Sequence, residues 1–510
     1  MPIETELKLQ IDPRHLARLR DHPLLKHATE HATQQVYSVY YDTPGLDLWR
    51  AGIALRLRRV AERWTQTLKA GGHAAGGLHE RDEIETGIAA PFPNFDGLDD
   101  SALAAPFASL ELRARLTPLI VTEFTRTSCV LSPAPGVTLE ASIDCGHVKS
   151  GNAAAPICEL ELEVKAGPAW RAFQVALQLL ETVPLLVDDR SKAERGIALH
   201  LGAPQAPRKS PSSPLSAGMT CNDAFKALLL TCIAHYCANQ RGMLDGADPE
   251  YLHQLRVALR RLRSVLSLFA PLFPAAVLAP PGAETRWLAR TLGEARDWDV
   301  FVAETLPPVA AHYVKHAGLT AMTRSAARQR DVATRKARHA VTSVRGQGLL
   351  LSLGAWVSAE TWLEAFDDAR PHALHLPAAG FAQSVLDAAL KRVRRRGGDF
   401  ASLAPADLHR LRIAAKKLRY ATEFFAPLFD HKTARDYRDT LARLQDVLGA
   451  YNDAGKMTHL AEHASSSLKG AAVSEARGIM LGWSAGMQHA GTRHMRRSWK
   501  EFRGAAPFWK

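Results

Sequence analysis

The chain has 510 residues, of which 46% are hydrophobic and 23% charged, the balance of an ordinary soluble protein with room for two or three domains. No apolar run reaches the roughly 18 residues of a spanning helix, because Pro271, Pro274, Pro280 and Pro281 interrupt the best one. The start is acidic rather than basic-then-apolar, so a cytoplasmic protein with no membrane partner is expected. The net charge of +12 is unevenly spread: residues 1–210 hold 23 Lys plus Arg against 26 Asp plus Glu, while the remainder holds 41 against 26. The second part should therefore meet a polyanion.

The opening "MPIETELKLQI" alternates, with Glu4, Glu6 and Lys8 on one face of a predicted strand and Leu7, Leu9 and Ile11 on the other. Two carboxylates two residues apart sit roughly 7 Å from each other and repel unless something positive lies between them. The same design recurs along the chain. "ALRLRRV" sets Arg56 and Arg58 opposite Leu55 and Leu57, and "WTQTLKA" groups Thr65, Thr67 and Lys69. "RDEIE" groups Arg81, Glu83 and Glu85, while "TEFTRTS" offers Arg126. "TLEASIDCG" places Glu140, Ser142 and Asp144 together, and "ICELELEVKAG" aligns Glu159, Glu161, Glu163 and Lys165. A sheet with one solvated face also alternates. What sets these strands apart is like charge repeated at i and i+2, tolerable when the charges bind something. Closed into a barrel with the charged faces inward, they would line a cavity with clusters of both signs, satisfied by a charged ligand together with a metal.

In this order "ETELK", "YYDTPG", "ALRLRR", "RDEIE", "EASIDCG", "ELELEVKAG" and "SKAERG" resemble the CYTH family, the triphosphate tunnel metalloenzymes, over residues 1–203. The resemblance implies an antiparallel β-barrel forming a tunnel that binds a triphosphate with Mg²⁺ or Mn²⁺. Carried onto this sequence, it implies Lys8, Arg56, Arg58, Lys69, Arg126 and Lys192 on phosphate oxygens. It implies Glu4, Glu6, Asp144, Glu159 and Glu161 as metal ligands, with Asp144 also able to orient water. Glu163 ranks as a weaker ligand, Arg81 and Glu83 as supporting pairs, and Asp42 and Thr43 as turn residues.

Residues 204–218, within "GAPQAPRKSPSSPLSAG", have little to bury and read as a linker. Beyond them, over 219–505, the period changes to helical and the chain repeats itself. "LHQLRVALRRLRSVLSLFAPLF" (252–273) matches "LHRLRIAAKKLRYATEFFAPLF" (408–429) at an offset of 156, and "TLGEARD" matches "VLGAYND" at the same offset. Two similar helical halves about a pseudo-twofold axis are expected. His253, Arg256, Arg260 and Arg263 share one helical face, widened by Arg261; His409, Arg412, Lys416 and Arg419 repeat it, widened by Lys417. Like charges at i, i+4 destabilise a helix slightly, so a repeated cationic stripe points to an anionic ligand. Asp297, Asp299 and Asp453 read as partners of the basic helices. The six cysteines form no CxxC pair and read as free thiols.

These motifs resemble the CHAD family, which implies a helical domain that binds inorganic polyphosphate. The overall expectation is an α+β multidomain chain, a tunnel barrel followed by an all-α domain, acting as an inorganic triphosphatase that splits tripolyphosphate into pyrophosphate and phosphate. Polyphosphate granules are a candidate location. An adenylate cyclase or organic triphosphatase on the same tunnel, and a non-catalytic polyphosphate scaffold, are the alternatives. Nucleic acid is a weaker partner, because no aromatic stacking platform interleaves with the stripes.

Overall fold

The computed structural model describes residues 3–96, 103–202, 206–366, 372–429 and 431–510. Its two compact units interleave along the chain. The first comprises residues 1–208, 237–245 and 342–361; the second comprises 209–236, 246–341 and 362–510. The division read from sequence is linear, and its boundary at 203–204 lies outside the described residues.

The first unit is built on nine strands: β1 (Ile3–Ile11), β2 (Thr29–Asp42), β3 (Ile53–Val60), β4 (Arg63–Ala75), β5 (Leu78–Ile88), β6 (Thr117–Ala134), β7 (Val137–Ser150), β8 (Ala153–Ala166) and β9 (Leu185–Val187). They run in the order β5-β4-β3-β2-β6-β7-β8-β1-β9, and β1 also pairs with β5, so eight antiparallel strands close into a barrel. Closure follows from the alternation. Leu7 and Leu9 are fully buried outside the charged lining. On that outer side helix α1 (Trp170–Leu180) buries Phe173, against which Gly354 of the helix Val344–Ala359 packs so closely that a Cβ would come within 2.3 Å.

A further helix, α2 (Lys192–His200), begins in the motif "SKAERG". Ser191 accepts from the Glu194 backbone N–H and Glu194 from that of Ser191, a capping box that fixes where Lys192 starts the helix. Gly196 lets the helix press on β6, since a Cβ there would lie 2.3 Å from Ile120. Ile197 then packs with Ile120, Phe124, Val148 and Ile157. Phe124 and Ile157 each stand two residues before an inward-facing charge, Arg126 and Glu159, so beyond the charges the barrel gives way to an apolar core.

The second unit is helical, apart from a single bridge between Thr220 and Pro377 among the described residues. Helices α3 (Pro249–Phe269), α4 (Ala275–Val300), α5 (Pro405–Phe425) and α6 (His431–Ser465) carry the repeat. Both ends of α3 and α5 are 156 residues apart, with Pro in each first turn and a short 3₁₀ turn, "APL", after each. The closing residues Phe269 and Phe425 meet with ring centroids 6.0 Å apart.

Candidate functional site

Register brings the charges of the barrel together. Lys8 on β1 faces Glu161 on β8, Asp144 on β7 faces Glu159, and Arg126 on β6 faces Asp144. Arg56 and Arg58 on β3 face Tyr40 and Ser38 on β2, and Lys69 on β4 faces Glu83 on β5. The cavity these strands enclose is lined by Glu4, Glu6, Lys8, Arg56, Arg58, Lys69, Arg126, Glu161 and Lys192, all expected from the sequence.

Asp144, Glu159 and Glu161 each place a carboxylate oxygen within 4.8 Å of the others, a possible cation site of hard oxygen donors; Glu161 lines the cavity, whereas Asp144 and Glu159 are buried and do not. Lys192 reaches all three, at 2.7 Å from Asp144, 2.5 Å from Glu159 and 3.0 Å from Glu161. Arg126 grips Asp144 with two donors, at 2.7 and 2.6 Å, and reaches Glu161 at 2.5 Å. Lys8 completes the cluster at 2.7 Å from Glu161 and 2.8 Å from Glu6. Glu4 and Glu6 line the same cavity but stand outside the carboxylate triad, paired with Lys69 and Lys8.

The energetics follow from these contacts. Burial pulls the Lys8 and Lys192 ammoniums down, yet the surrounding carboxylates outweigh it and hold both above the ordinary lysine range. Burial pushes Glu159 up, but Lys192 and Arg195 win and hold it at about 2; Glu161 is likewise held low by Lys192, Lys8 and Arg126. Arg58 differs: burial, then Arg56 and Arg126, push it down to about 10, and its Nε has no hydrogen-bond partner among the described residues. It is the tunnel cation most in need of an anion. With the ion pairs closed, the free space is only about 70 Å³, well under the roughly 300–1,000 Å³ of a typical ligand pocket, so any ligand larger than a few waters would have to part them.

Sequence reasoning missed Tyr40 and Ser191, which line the tunnel, and Arg195, which donates to Glu159; Ser142, grouped with Asp144 from the sequence, lines it as well. The signals were present: Tyr40 keeps the period of its strand, and Arg195 is one helical turn after Lys192. Arg81 and Glu163 also line it, whereas Glu83 supports it, 3.3 Å from Lys69 and 3.6 Å from Arg56. Asp42 accepts the backbone N–H groups of Thr43, Leu48 and Trp49, and Thr43 accepts that of Asp47, so this pair holds a turn.

In the second unit, α3 and α5 flank a cleft of about 980 Å³. His253, Arg260, Arg261, Arg412, Lys416 and Arg419 line it, together with Tyr420, Arg438 and Ser210–Ser213. Arg260 and Lys416 also line an adjoining cavity of about 490 Å³ with Arg263, Arg286 and Lys417. Arg256 and His409 line neither. Arg256 lies 4.0 Å from Asp297 and Arg412 lies 3.7 Å from Asp453, the same ion pair repeated at the offset of 156. His409 is exposed and hydrogen-bonds Asn452 at 2.7 Å. Arg261 is 5% exposed, lies over Phe424 and pairs with Glu423 at 3.3 Å. The linker serines were missed because a Pro/Ser-rich segment reads alike whether it lies in solvent or along a cleft.

A closed eight-stranded barrel with inward charges of both signs, followed by a duplicated basic helical unit, defines a two-domain class. Residues 2–197 match the CYTH domain family and residues 227–462 the CHAD domain family; the chain carries one domain of each. A protein of Haemophilus influenzae named inorganic triphosphatase is 30% identical over 202 residues, 38% of this chain and 54% of that protein, so the chain spans about half the length of this relative. An uncharacterised protein of Mycobacterium tuberculosis is 26% identical over 76% of this chain and 75% of its own length. Among solved structures, the CHAD domain of the plant Ricinus communis is similar at a TM-score of 0.52 and 30% identity, covering 59% of this chain and 98% of that one. No helix of the described residues is long and apolar enough to cross a membrane.

Proposed function

We propose that the tunnel hydrolyses inorganic triphosphate to pyrophosphate and phosphate with Mg²⁺ or Mn²⁺, and that the basic cleft binds inorganic polyphosphate. The observation that carries the reading is the Asp144–Glu159–Glu161 triad interlocked with Lys8, Arg126 and Lys192 inside a closed barrel. Such a site is neutral to itself and open to exchange, because carboxylates that now hold ammonium groups can hold a divalent cation while the released ammonium groups turn to phosphate. The name of the Haemophilus influenzae relative supports the same reaction.

A divalent cation bound at the triad would neutralise charge on the phosphate oxygens and help orient the attacking water. The chain supplies the rest. Arg58, Arg56 and Arg126 offer planar forks of donors to the non-bridging oxygens, and Lys8, Lys69 and Lys192 act as point charges. Glu4 and Glu6 hold Lys69 and Lys8 in position and can serve as further ligands. Water adds to the terminal phosphorus, the P–O bond to the rest of the chain breaks, and pyrophosphate leaves into a field of cations that stabilises its developing charge. Tyr40 is the one aromatic ring lining the tunnel among the described residues, which favours a bare phosphate chain over a nucleotide.

The test is phosphate release from tripolyphosphate, ATP, thiamine triphosphate and long polyphosphate, with Mg²⁺ or Mn²⁺, beside Glu4→Ala, Glu6→Ala and Glu161→Gln. Hydrolysis of tripolyphosphate above the other substrates, lost in Glu161→Gln, is expected. Polyphosphate binding without hydrolysis of any substrate would replace this reading with that of a scaffold.

A further inference from the structure

The wall that carries the carboxylate triad has an unused feature on its outer side. Asp144 and Glu159 are directly opposed across β7 and β8, and the next opposed pair is Cys145 and Cys158. Successive strand residues point to opposite faces, so the thiols lie directly behind the carboxylates. They hydrogen-bond to each other and are only partly buried, whereas Cys129, Cys221, Cys232 and Cys237 are buried. Cys158 also lines an outer cavity of about 640 Å³. Arg195 borders the same cavity and donates to Glu159 of the triad, so a small molecule there reaches the thiol and the back of the site together.

Directly opposed antiparallel residues hold their Cα atoms about 4.5 or 5.5 Å apart, and a disulfide spans Cα separations of roughly 4.4–6.8 Å. A bond can close here without moving the strands far. It does not close for nothing, however. Opposed Cβ atoms stand about 4.5–5.5 Å apart and a disulfide holds them near 3.8 Å, so the strands draw in by roughly 1 Å beside Asp144 and Glu159.

We propose that Cys145 and Cys158 form a reversible dithiol–disulfide site, and that closing it distorts the triad wall and slows the tunnel; the second half of this rests on the triphosphatase reading. The oxidant is a low-molecular-weight disulfide. The thiolate of one cysteine attacks a sulfur of the oxidant and expels one small thiol, leaving a mixed disulfide; the second cysteine then attacks the protein sulfur and expels the other. Two protein thiols are oxidised, one small disulfide is reduced to two thiols, and the two protein protons end on those thiols. A disulfide in a reducing compartment is usually of this transient, sensing kind.

The experiment incubates the full-length protein with oxidised glutathione, maps disulfides by peptide mass, and follows tripolyphosphate hydrolysis before oxidation, after it, and after dithiothreitol. The expected result is a 145–158 bond, a fall in hydrolysis of roughly 10- to 100-fold, as displaced supporting groups at metal sites give, and recovery on reduction. Cys145→Ser and Cys158→Ser should keep the reduced rate under oxidant. Absence of the bond overturns the site; a bond with hydrolysis unchanged, or an equal fall in the serine variants, overturns the coupling. If the reduced protein hydrolyses nothing, the triphosphatase reading has failed, and the mapped bond alone decides whether the dithiol site stands.

Discussion

The tunnel and the cleft both gather cations, yet they treat them in opposite ways. In the tunnel burial pulls Lys8, Lys192 and Arg126 down, but carboxylates within contact more than restore them, and each stands above its ordinary range. In the cleft and its surroundings burial wins: Arg256 and Arg412 fall below their ordinary range although Asp297 and Asp453 pull them up, and Arg263 and Lys417, with cations as their neighbours, fall as well. Lys416 is pushed down to about 8 by burial, Arg412 and Arg260. Each region has an exception: Arg419 is raised against its burial by Glu423 2.7 Å away, and Arg58 in the tunnel is pushed down to about 10 by burial, Arg56 and Arg126. The number of positive groups does not separate the two regions. What separates them is whether the built-in counter-charge outweighs burial, as the carboxylates around Lys8, Lys192 and Arg126 do, or falls short of it, as Asp297 and Asp453 do beside Arg256 and Arg412.

The sharpest way to break that contrast is to remove the counter-charge where it is built in. Glu161→Gln leaves Lys8, Arg126 and Lys192 without their shared partner. Triphosphate hydrolysis should drop about 10²–10³-fold, the cost of a lost electrostatic group in a preorganised site. Breaking a buried ionic cluster from one side should also cost about 3 kcal/mol of stability, read as a lower denaturant midpoint. Polyphosphate binding should not move. The converse change, Arg260→Ala, removes a cation common to both cavities of the helical unit. It should weaken polyphosphate binding about 10- to 100-fold, as loss of a charge-assisted hydrogen bond does, and leave hydrolysis alone. A variant that lowers both activities equally would mean that the two regions are not electrostatically separate.

Much of this was legible in the sequence, for a physical reason. Alternation with period two forces neighbours in a strand onto opposite faces, so Glu4, Glu6 and Lys8 had to share a side, as did Glu159 and Glu161. A repeat at constant offset likewise placed Arg260 and Lys416 in equivalent positions. What alternation leaves open is register. Nothing in "ELELE" says that Glu159 stands across from Asp144 while Glu163 stands across from Glu6 and Glu140. The carboxylates that converge with Lys192 are decided by pairing across β7, β8 and β1, and the separation of Glu4 and Glu6 from the triad is a consequence of it. Arg256 shows the helical version of the same gap. It shares a stripe with Arg260, but Gly293 lets its guanidinium fold against α4, where a Cβ would lie 2.7 Å away.

Acid and base sharpen the contrast with opposite signs. Glu159 is held at about 2 against an ordinary 4.5, so its contribution to stability is complete above 4.5 and is lost as pH falls toward 2. Lys416 is held at about 8 against an ordinary 10.5, so between those values the unfolded chain binds more protons and the ligand-free fold gains stability as pH rises. Binding of a polyanion reverses that preference and recharges the amine. Polyphosphate affinity should therefore be flat below pH 8 and decline above it, and Lys416→Arg should flatten the profile by staying charged. A titration across pH 6–10 with a polyphosphate of fixed length reads both.

The smallest effect is the most discriminating, because it concerns the few carboxylates that do face the cleft. Asp453 lines it and lies 3.7 Å from Arg412, with its side chain 61% exposed. Arg412 is 14% exposed, but a carboxylate as solvated as Asp453 at 3.7 Å makes a weak pair, worth about 0–1 kcal/mol, so it costs little to break. Asp453→Asn should thus release Arg412 to the ligand, remove one repulsion, and tighten polyphosphate binding about two- to threefold, the size of such a pair. Its counterpart across the repeat, Asp297, lies outside the cleft and is held by Lys456 at 3.0 Å as well as facing Arg256 at 4.0 Å, so Asp297→Asn should change affinity less. Calorimetric titration of the two variants side by side would separate them. Weaker binding in Asp453→Asn would mean that the carboxylate positions Arg412 for its ligand, and the cleft would then use its built-in counter-charge as the tunnel does.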